Sequence, residues 1–156
     1  SALTLFLTYL AEENHQEILN GMKDEELGLI RDKFVTYFMN EIGVNAATDV
    51  TGFGLLGHAT NIATLSKVDI AIHTLPAIRG SFELSEFFGH KLKQGWGAET
   101  AGGMLVLISP EKVDEFIALL ESSGAPSWIV GHAIKSVGTP SAKLVEDVQY
   151  IETGFR

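Results

Sequence analysis

The sequence predicts an α+β domain in which helices pack on a mixed β-sheet of about five strands. The chain has 156 residues, enough for one domain with a real core. Hydrophobic residues make up 46% and charged residues 20%, a globular composition that excludes intrinsic disorder. Some segments show apolar residues at helical spacing, whereas others alternate or run continuously, as strands do. We therefore treat residues 1–156 as a single domain.

Five segments are predicted to be helical because their apolar residues recur every three or four positions. The first two form a helical lead-in over residues 1–43, and a glycine follows each of them. The third follows a glycine-rich turn, and the fifth begins at Pro110 behind Ser109, a capping residue. The predicted helices cover residues 2–20, 24–40, 55–66, 81–89 and 110–123.

The strands are predicted within an α/β body over residues 44–152. Residues 68–73 alternate between apolar and polar side chains, which indicates a strand that Pro76 should end. Residues 104–108 are continuously apolar, which favours a strand buried on both faces. Residues 89–103 hold five glycines and are predicted to form a long loop, a kind of segment that is usually functional. Further strands are expected at residues 44–48, 128–131 and 143–151.

Composition excludes several classes of function. The chain has no cysteine, so it can form neither disulfides nor thiolate sites, and it suits a reducing compartment such as the cytoplasm. The net charge is −9 without any basic cluster, which argues against a nucleic-acid partner. No apolar run approaches 18 residues, so no membrane span is predicted. Residues 2–10 are the expected exposed apolar patch.

The segment Thr48–His58 contains the glycine pattern Gly52-x-Gly54-x-x-Gly57. This pattern also occurs in dinucleotide-binding folds, which place an acidic residue about 20 positions further on, at the end of the next strand. Here Asp69 follows Gly57 by 12 residues and begins its strand, which disfavours that interpretation. A second interpretation is purely structural, since glycines permit tight turns and close helix packing.

The presence of Asp49 favours the interpretation that this segment binds a ligand. Asp49 is expected at the end of a strand, before a glycine turn that opens a helix, where backbone N–H groups attract anions. A carboxylate at such a place suits Mg²⁺, which is commonly held by one or two carboxylates together with phosphate oxygens. The alternative role for Asp49 is that of a turn or capping residue.

Three segments resemble the selenophosphate synthetase (selenide, water dikinase) family. The string ATDVTGFGLLGH at residues 47–58 is similar to its signature, and ETAGGML at 99–105 is similar to its E/Q-T-S-G-G-L-L turn. SWIVG at 127–131 matches a late strand in character and place. The three segments follow the order and approximate spacing of the family. The resemblance is closest to the carboxyl-terminal domain of the eukaryotic-type enzymes.

The resemblance implies the fold of the carboxyl-terminal domain of the aminoimidazole ribonucleotide synthetase superfamily. It also implies a kinase-type phosphotransferase that makes selenophosphate, AMP and phosphate from selenide, ATP and water. A missing amino-terminal domain would supply the selenium-handling residue, the lysine and most metal-binding aspartates, and the full-length protein would be a homodimer. The isolated chain would be inactive and would contain no catalytic residue.

For this chain, the resemblance matches Asp49 to the metal-binding aspartate that the domain contributes to a Mg-ATP site. It places Thr51, Gly52 and Gly54 along the bound nucleotide.

Two departures support an alternative, a catalytically silent paralogue that acts as a binding or regulatory module. Ala101 stands where the family usually has serine, and Ile30-Arg31-Asp32-Lys33 stands where an Arg-Leu-Asn-Arg run is common. Among other candidates, His58 is expected to cap or pack. Trp96 is expected either to cover a nucleotide base or to anchor its loop, and His73 to lie on a half-solvated face. Packing is expected for Phe53, Phe82, Phe87 and Phe88.

Overall fold

The computed structural model describes residues 2–8, 38–97, 103–122 and 125–154. Within these residues, six strands form one mixed sheet in the order β2-β4-β1-β5-β3-β6. Strand β6 runs parallel to β3, and the other pairs are antiparallel. The predicted α+β class is confirmed, with six strands where five were expected. The strands are β1 Leu3–Thr8, β2 Ala46–Asp49, β3 Val68–Ile78, β4 Met104–Ile108, β5 Ser127–Lys135 and β6 Ser141–Thr153.

Three α-helices lie among the described residues, as predicted for the α/β body. They are α1 Gly54–Ser66, α2 Ser81–Phe87 and α3 Val113–Ser122. Helix α1 is followed by Lys67, whose N–H donates to the carbonyl of Ala63 and whose left-handed backbone (φ 57°) turns the chain out of the helix. Pro110 opens a 3₁₀ turn, Pro110–Lys112, that leads into α3. Two further short turns are the π-helical Phe38–Ile42 and the 3₁₀ Leu92–Gln94.

Helices cover both faces of the sheet around β4 and β1, so the core has two parts. On one face, α1 and Phe82 of α2 pack against strand residues such as Leu105 and Leu107. On the other face, α3 packs against Met104, Val106 and Ile108. The continuous apolar run of β4 therefore buries alternate side chains in opposite parts of the core, as its sequence predicts. In the second part, the ring of Phe116 meets those of Phe6 and Phe38 edge-on at centroid distances of 5.2 and 5.7 Å.

The prediction of a helix over residues 2–20 is wrong at its start, because Leu3–Thr8 forms β1. Strand β1 lies between β4 and β5, so it is covered on both edges as well as on both faces. Leu5, Phe6 and Leu7 are at most 3% exposed, and the expected exposed patch at residues 2–10 is therefore also wrong where the structure describes it. The predicted helix at residues 24–40 falls mostly outside the described residues.

Strand β3 continues through Pro76 to Ile78 rather than ending there. Its pairing with β5 stops at Ile72, and beyond that point β3 pairs only with β6. A proline lacks the N–H that a central strand would need, but an edge position tolerates it. The expectation that Pro76 ends the strand is therefore wrong.

Candidate functional site

The turn between β2 and α1 carries the predicted site residues. Asp49 is the last residue of β2, the strand at one edge of the described sheet, and it is half-buried. It pairs with Met104, while the N–H of Val50 donates to the carbonyl of Gly103 at 2.8 Å. The fold thus brings the start of the turn beside the end of the second resembling segment, residues 99–105. Residues 99–102 of that segment lie outside the described part of the chain.

His58 reaches back from α1 to hold this turn. Its Nε2 accepts a hydrogen bond from the N–H of Thr51 at 3.0 Å, and the hydroxyl oxygen of Thr51 lies 3.2 Å from the same nitrogen. The side chain is buried, and the ring of Phe53 lies 5.7 Å away, centroid to centroid. Burial lowers the pKa of His58, and the nearby charge of Asp49 offsets this only in part, so the imidazole is neutral near pH 7.

Gly54 has a structural reason to be glycine. Its φ is +70°, and a Cβ built there would lie 2.8 Å from the carbonyl oxygen of Gly95 and 2.9 Å from that of Gly97. The loop backbone crosses closely because the N–H of Leu56 donates to the carbonyl of Gly95 at 2.9 Å. The chain itself therefore uses part of the helix N-terminus on which an anion was expected to bind.

Gly52 is different, because nothing in the described chain requires a glycine there. It is exposed, its φ lies outside the left-handed region, and a Cβ built on it would meet no heavy atom within 4 Å. Open space beside a backbone without a side chain suits close approach by a ligand. The two glycines predicted to line the site thus have separate explanations, packing for Gly54 and accessibility for Gly52.

A family model described as AIR synthase related protein, C-terminal domain, matches residues 6–140. The chain belongs to this family. It is 45% identical over 116 residues to a selenide, water dikinase of Methanococcus maripaludis, covering 72% of this chain and 34% of that protein. Against the selenide, water dikinase of Trypanosoma brucei brucei it is 37% identical over 152 residues, covering 92% and 38%. The resemblance to selenophosphate synthetases is therefore confirmed, and the chain spans about a third of the length of these relatives.

Solved structures of other proteins share the fold of this AIR synthase related domain. The hydrogenase maturation protein HypE matches with a TM-score of 0.58 at 16% identity, over 88% of this chain and 45% of that one. T. maritima PurL complexed with FGAR matches with a TM-score of 0.58 at 12% identity, over 94% of this chain and 26% of that one. At such identities the likeness shows the fold alone, and together with the family model it confirms the predicted fold.

The family fold excludes the dinucleotide-binding interpretation of the glycine pattern. That interpretation requires β3 to lie parallel beside the strand that precedes the glycines. In the sheet, β4, β1 and β5 separate β2 from β3.

Among the described residues, no helix is long and apolar enough to cross a membrane.

The AIR synthase related domain contains a side chain that suits one ligand position of a magnesium site. Asp49 offers a hard carboxylate oxygen, the ligand type that Mg²⁺ prefers. No group of three or more histidine, aspartate or glutamate side chains converges on a possible metal position in the described part of the chain. An ion at Asp49 would therefore need further ligands, such as phosphate oxygens, water or protein outside these residues.

Trp96 lies against the start of α1, half-exposed, and a Cβ on Gly57 would come 3.4 Å from its ring. It therefore anchors its loop on α1, one of the two roles predicted for it. Phe82 is buried as predicted. The packing prediction is wrong for Phe53, Phe87 and Phe88, which are 67%, 81% and 65% exposed.

The sequence did not reveal two contacts that shape the site, the bond from Thr51 to His58 and the crossing of α1 by residues 95–97. His73 is half-buried, as predicted, with Nδ1 2.7 Å from the hydroxyl of Thr74 and its ring 5.2 Å from that of His132. Burial, and secondarily the neighbouring His132, lower the pKa of His73.

Proposed function

We propose that this chain is the carboxyl-terminal domain of a selenophosphate synthetase-like enzyme. Such an enzyme would use ATP, water and selenide to make selenophosphate, AMP and phosphate. The observation that carries the proposal is the placement of the signature segment, residues 47–58, with Asp49 at a strand end and Gly52 open beside it. The identity with selenide, water dikinases supports the choice of reaction.

In this proposal, the chain supplies one side of a Mg-ATP site. Asp49 would hold a magnesium ion through a carboxylate oxygen, and Thr51, Gly52 and Gly54 would lie along the phosphates. Bound Mg²⁺ would offset the negative charge of the nucleotide, which an acidic chain of net charge −9 cannot do alone. Asp49 contributes no nucleophile, and the half-buried edge of β2 fixes its backbone.

The other half of the site would come from an amino-terminal domain of the same protein. The chain spans only about a third of its curated relatives, so residues 1–156 are proposed to be one domain of a two-domain protein. That domain would supply the selenium-handling residue and the remaining metal ligands. The full-length protein is proposed to be a homodimer in the cytoplasm.

Amide NMR spectra of the chain, recorded while Mg²⁺ and adenylyl imidodiphosphate are added, test the proposed site. Shifts should concentrate at residues 48–58 and 95–97 and disappear in Asp49→Asn. Asp114→Asn is a matched control, because it makes the same charge change at an exposed position on α3. Shifts that Asp49→Asn leaves unchanged would refute the metal role of Asp49.

A Gly52→Ala variant tests the open face of the turn. The added methyl group meets nothing in the chain, so the fold should persist while binding of the nucleotide analogue weakens. Unchanged affinity would indicate that the phosphates of the analogue do not bind beside Gly52. Formation of selenophosphate or AMP by the isolated chain would contradict the proposed division of labour between two domains.

The second candidate is a catalytically silent paralogue that acts as a binding or regulatory module. It is favoured by Ala101 and by the run Ile30-Arg31-Asp32-Lys33, all of which lie outside the described residues. Joined to its amino-terminal domain, such a protein would bind partners without turnover. Recovery of selenophosphate formation in Ala101→Ser would identify the lost hydroxyl as the cause.

A further inference from the structure

The imidazole of His58 is bonded to the turn rather than to the end of its own helix. A backbone N–H can only donate, so the bond from Thr51 requires a lone pair on Nε2. A neutral imidazole with Nε2 as acceptor carries its proton on Nδ1. The geometry therefore fixes both the charge state and the tautomer of the ring.

We infer that His58 is a positioning residue, a neutral imidazole protonated on Nδ1 that holds the Thr51 amide and thereby the turn between Asp49 and Gly52. It does not itself touch phosphate or metal. The link from this turn to nucleotide binding rests on the proposed function. The hydrogen bond and the tautomer do not.

Two neighbouring groups of the turn have other hydrogen-bond partners, and the Thr51 amide has His58. The N–H of Val50 donates to Gly103, and the carbonyl of Thr51 accepts from the N–H of Gly54 at 3.0 Å. Without an acceptor at position 58, the half-buried N–H of Thr51 would lose its hydrogen bond. An unsatisfied amide of this kind is unfavourable enough to open a short turn.

Burial supports the assignment, because it lowers the pKa of His58 and so favours the neutral ring that the bond requires. Simple packing would make a different demand on this position. Phenylalanine would keep a buried aromatic ring at this position, but it has no acceptor. Glutamine would be smaller in outline but can place an amide oxygen near the position of Nε2. The pair His58→Phe and His58→Gln therefore separates packing from hydrogen bonding.

The first experiment uses the ligand-free chain. Nitrogen-15 NMR of the histidine ring should show Nε2 unprotonated and Nδ1 protonated at pH 7. Hydrogen exchange of the Thr51 amide should accelerate at least about tenfold in His58→Phe and stay within about threefold of wild type in His58→Gln. A protonated Nε2, or unchanged Thr51 exchange in a folded His58→Phe, would overturn the inference.

The second experiment measures binding of Mg²⁺ with adenylyl imidodiphosphate. His58→Phe should weaken the affinity at least about tenfold, and His58→Gln should restore most of it. His132→Phe, exposed on β5, is a control that should change neither the affinity nor the Thr51 exchange. Full affinity in His58→Phe despite fast Thr51 exchange would refute the positioning role. Absence of binding by the wild-type chain would count against the proposed function, while the ligand-free measurements would still decide whether His58 holds the turn.

Discussion

Replacing Gly54 with alanine tests the packing of the loop against α1. The backbone at this position has φ +70°, and a left-handed conformation is unfavourable by about 1–2 kcal/mol for a residue with a Cβ. The new methyl group would also lie 2.8–2.9 Å from backbone atoms of residues 95–97, and overpacking of this kind typically destabilises by about 1–3 kcal/mol. Alanine also lowers the conformational entropy of the unfolded chain, which offsets about 0.4–1 kcal/mol of this destabilisation.

The free energy of unfolding should therefore fall by about 2–4 kcal/mol in Gly54→Ala. For a chain of this size, that corresponds to a drop in melting temperature of about 5–15 °C. Gly52→Ala is the matched control, because its Cβ meets nothing, and its stability should stay within about 1 kcal/mol of wild type. Circular dichroism during thermal and urea unfolding measures both variants.

Two results would refute this reasoning. If Gly54→Ala unfolds within about 1 kcal/mol of wild type, residues 95–97 do not cross α1 as closely as described. If Gly52→Ala is as unstable as Gly54→Ala, the turn is not open at that position. Either result would also remove the distinction between a packing glycine and an accessible one.

Two further predictions concern pH and the core. The pKa values of His58 and His73 are lowered in the folded chain, so the unfolded chain binds more protons below the ordinary value of about 6.5. The melting temperature should therefore fall on acidification from pH 7 to pH 5, less steeply in His73→Asn, and a rise would contradict the assignment. Phe116→Ala should lower the free energy of unfolding by about 3–5 kcal/mol in urea titrations, because its ring is fully buried against Phe6 and Phe38. Phe87→Ala, at an 81% exposed position, should change the free energy of unfolding by less than about 0.5 kcal/mol. If both variants lost the same stability, the position of the core described above would be wrong.

Elements whose signals are local were predictable from the sequence. Helix α3 has Pro110 ahead of it and an apolar stripe that includes Phe116 and Leu120, and both features act within a few residues. Strand β4 was recognisable because five consecutive apolar residues fit a strand covered on both faces. Neither prediction required knowledge of the partner elements.

Strand β1 was missed because its pattern fits two structures. Apolar residues at positions 3, 6, 7 and 10 match a helical stripe, but a short apolar run also fits a strand buried on both faces. Pairing with β4 and β5 decides between them, and those partners lie at least 96 positions away in the sequence. Periodicity within a window of residues cannot register such pairing.

In the candidate site, too, the features set by nearby residues were predictable and those set by distant residues were not. The sequence placed Asp49 at a strand end and a helix after the glycines, and both placements agree with the structure. It did not explain why position 54 is glycine, because the reason is the backbone of residues 95–97, far along the chain. The exposed Phe53, Phe87 and Phe88 were predicted to pack because hydrophobicity alone does not say which aromatic residues the fold buries.

The central position of β1 also determines the order in which the sheet can assemble. The first strand in the chain separates β4 from β5, so the sheet cannot close until residues beyond 127 are available. During synthesis, the buried side chains of Leu5, Phe6 and Leu7 must wait for partners that emerge much later. Such non-local pairing slows folding and leaves an apolar, unpaired strand exposed to chaperones or to neighbouring chains in the meantime.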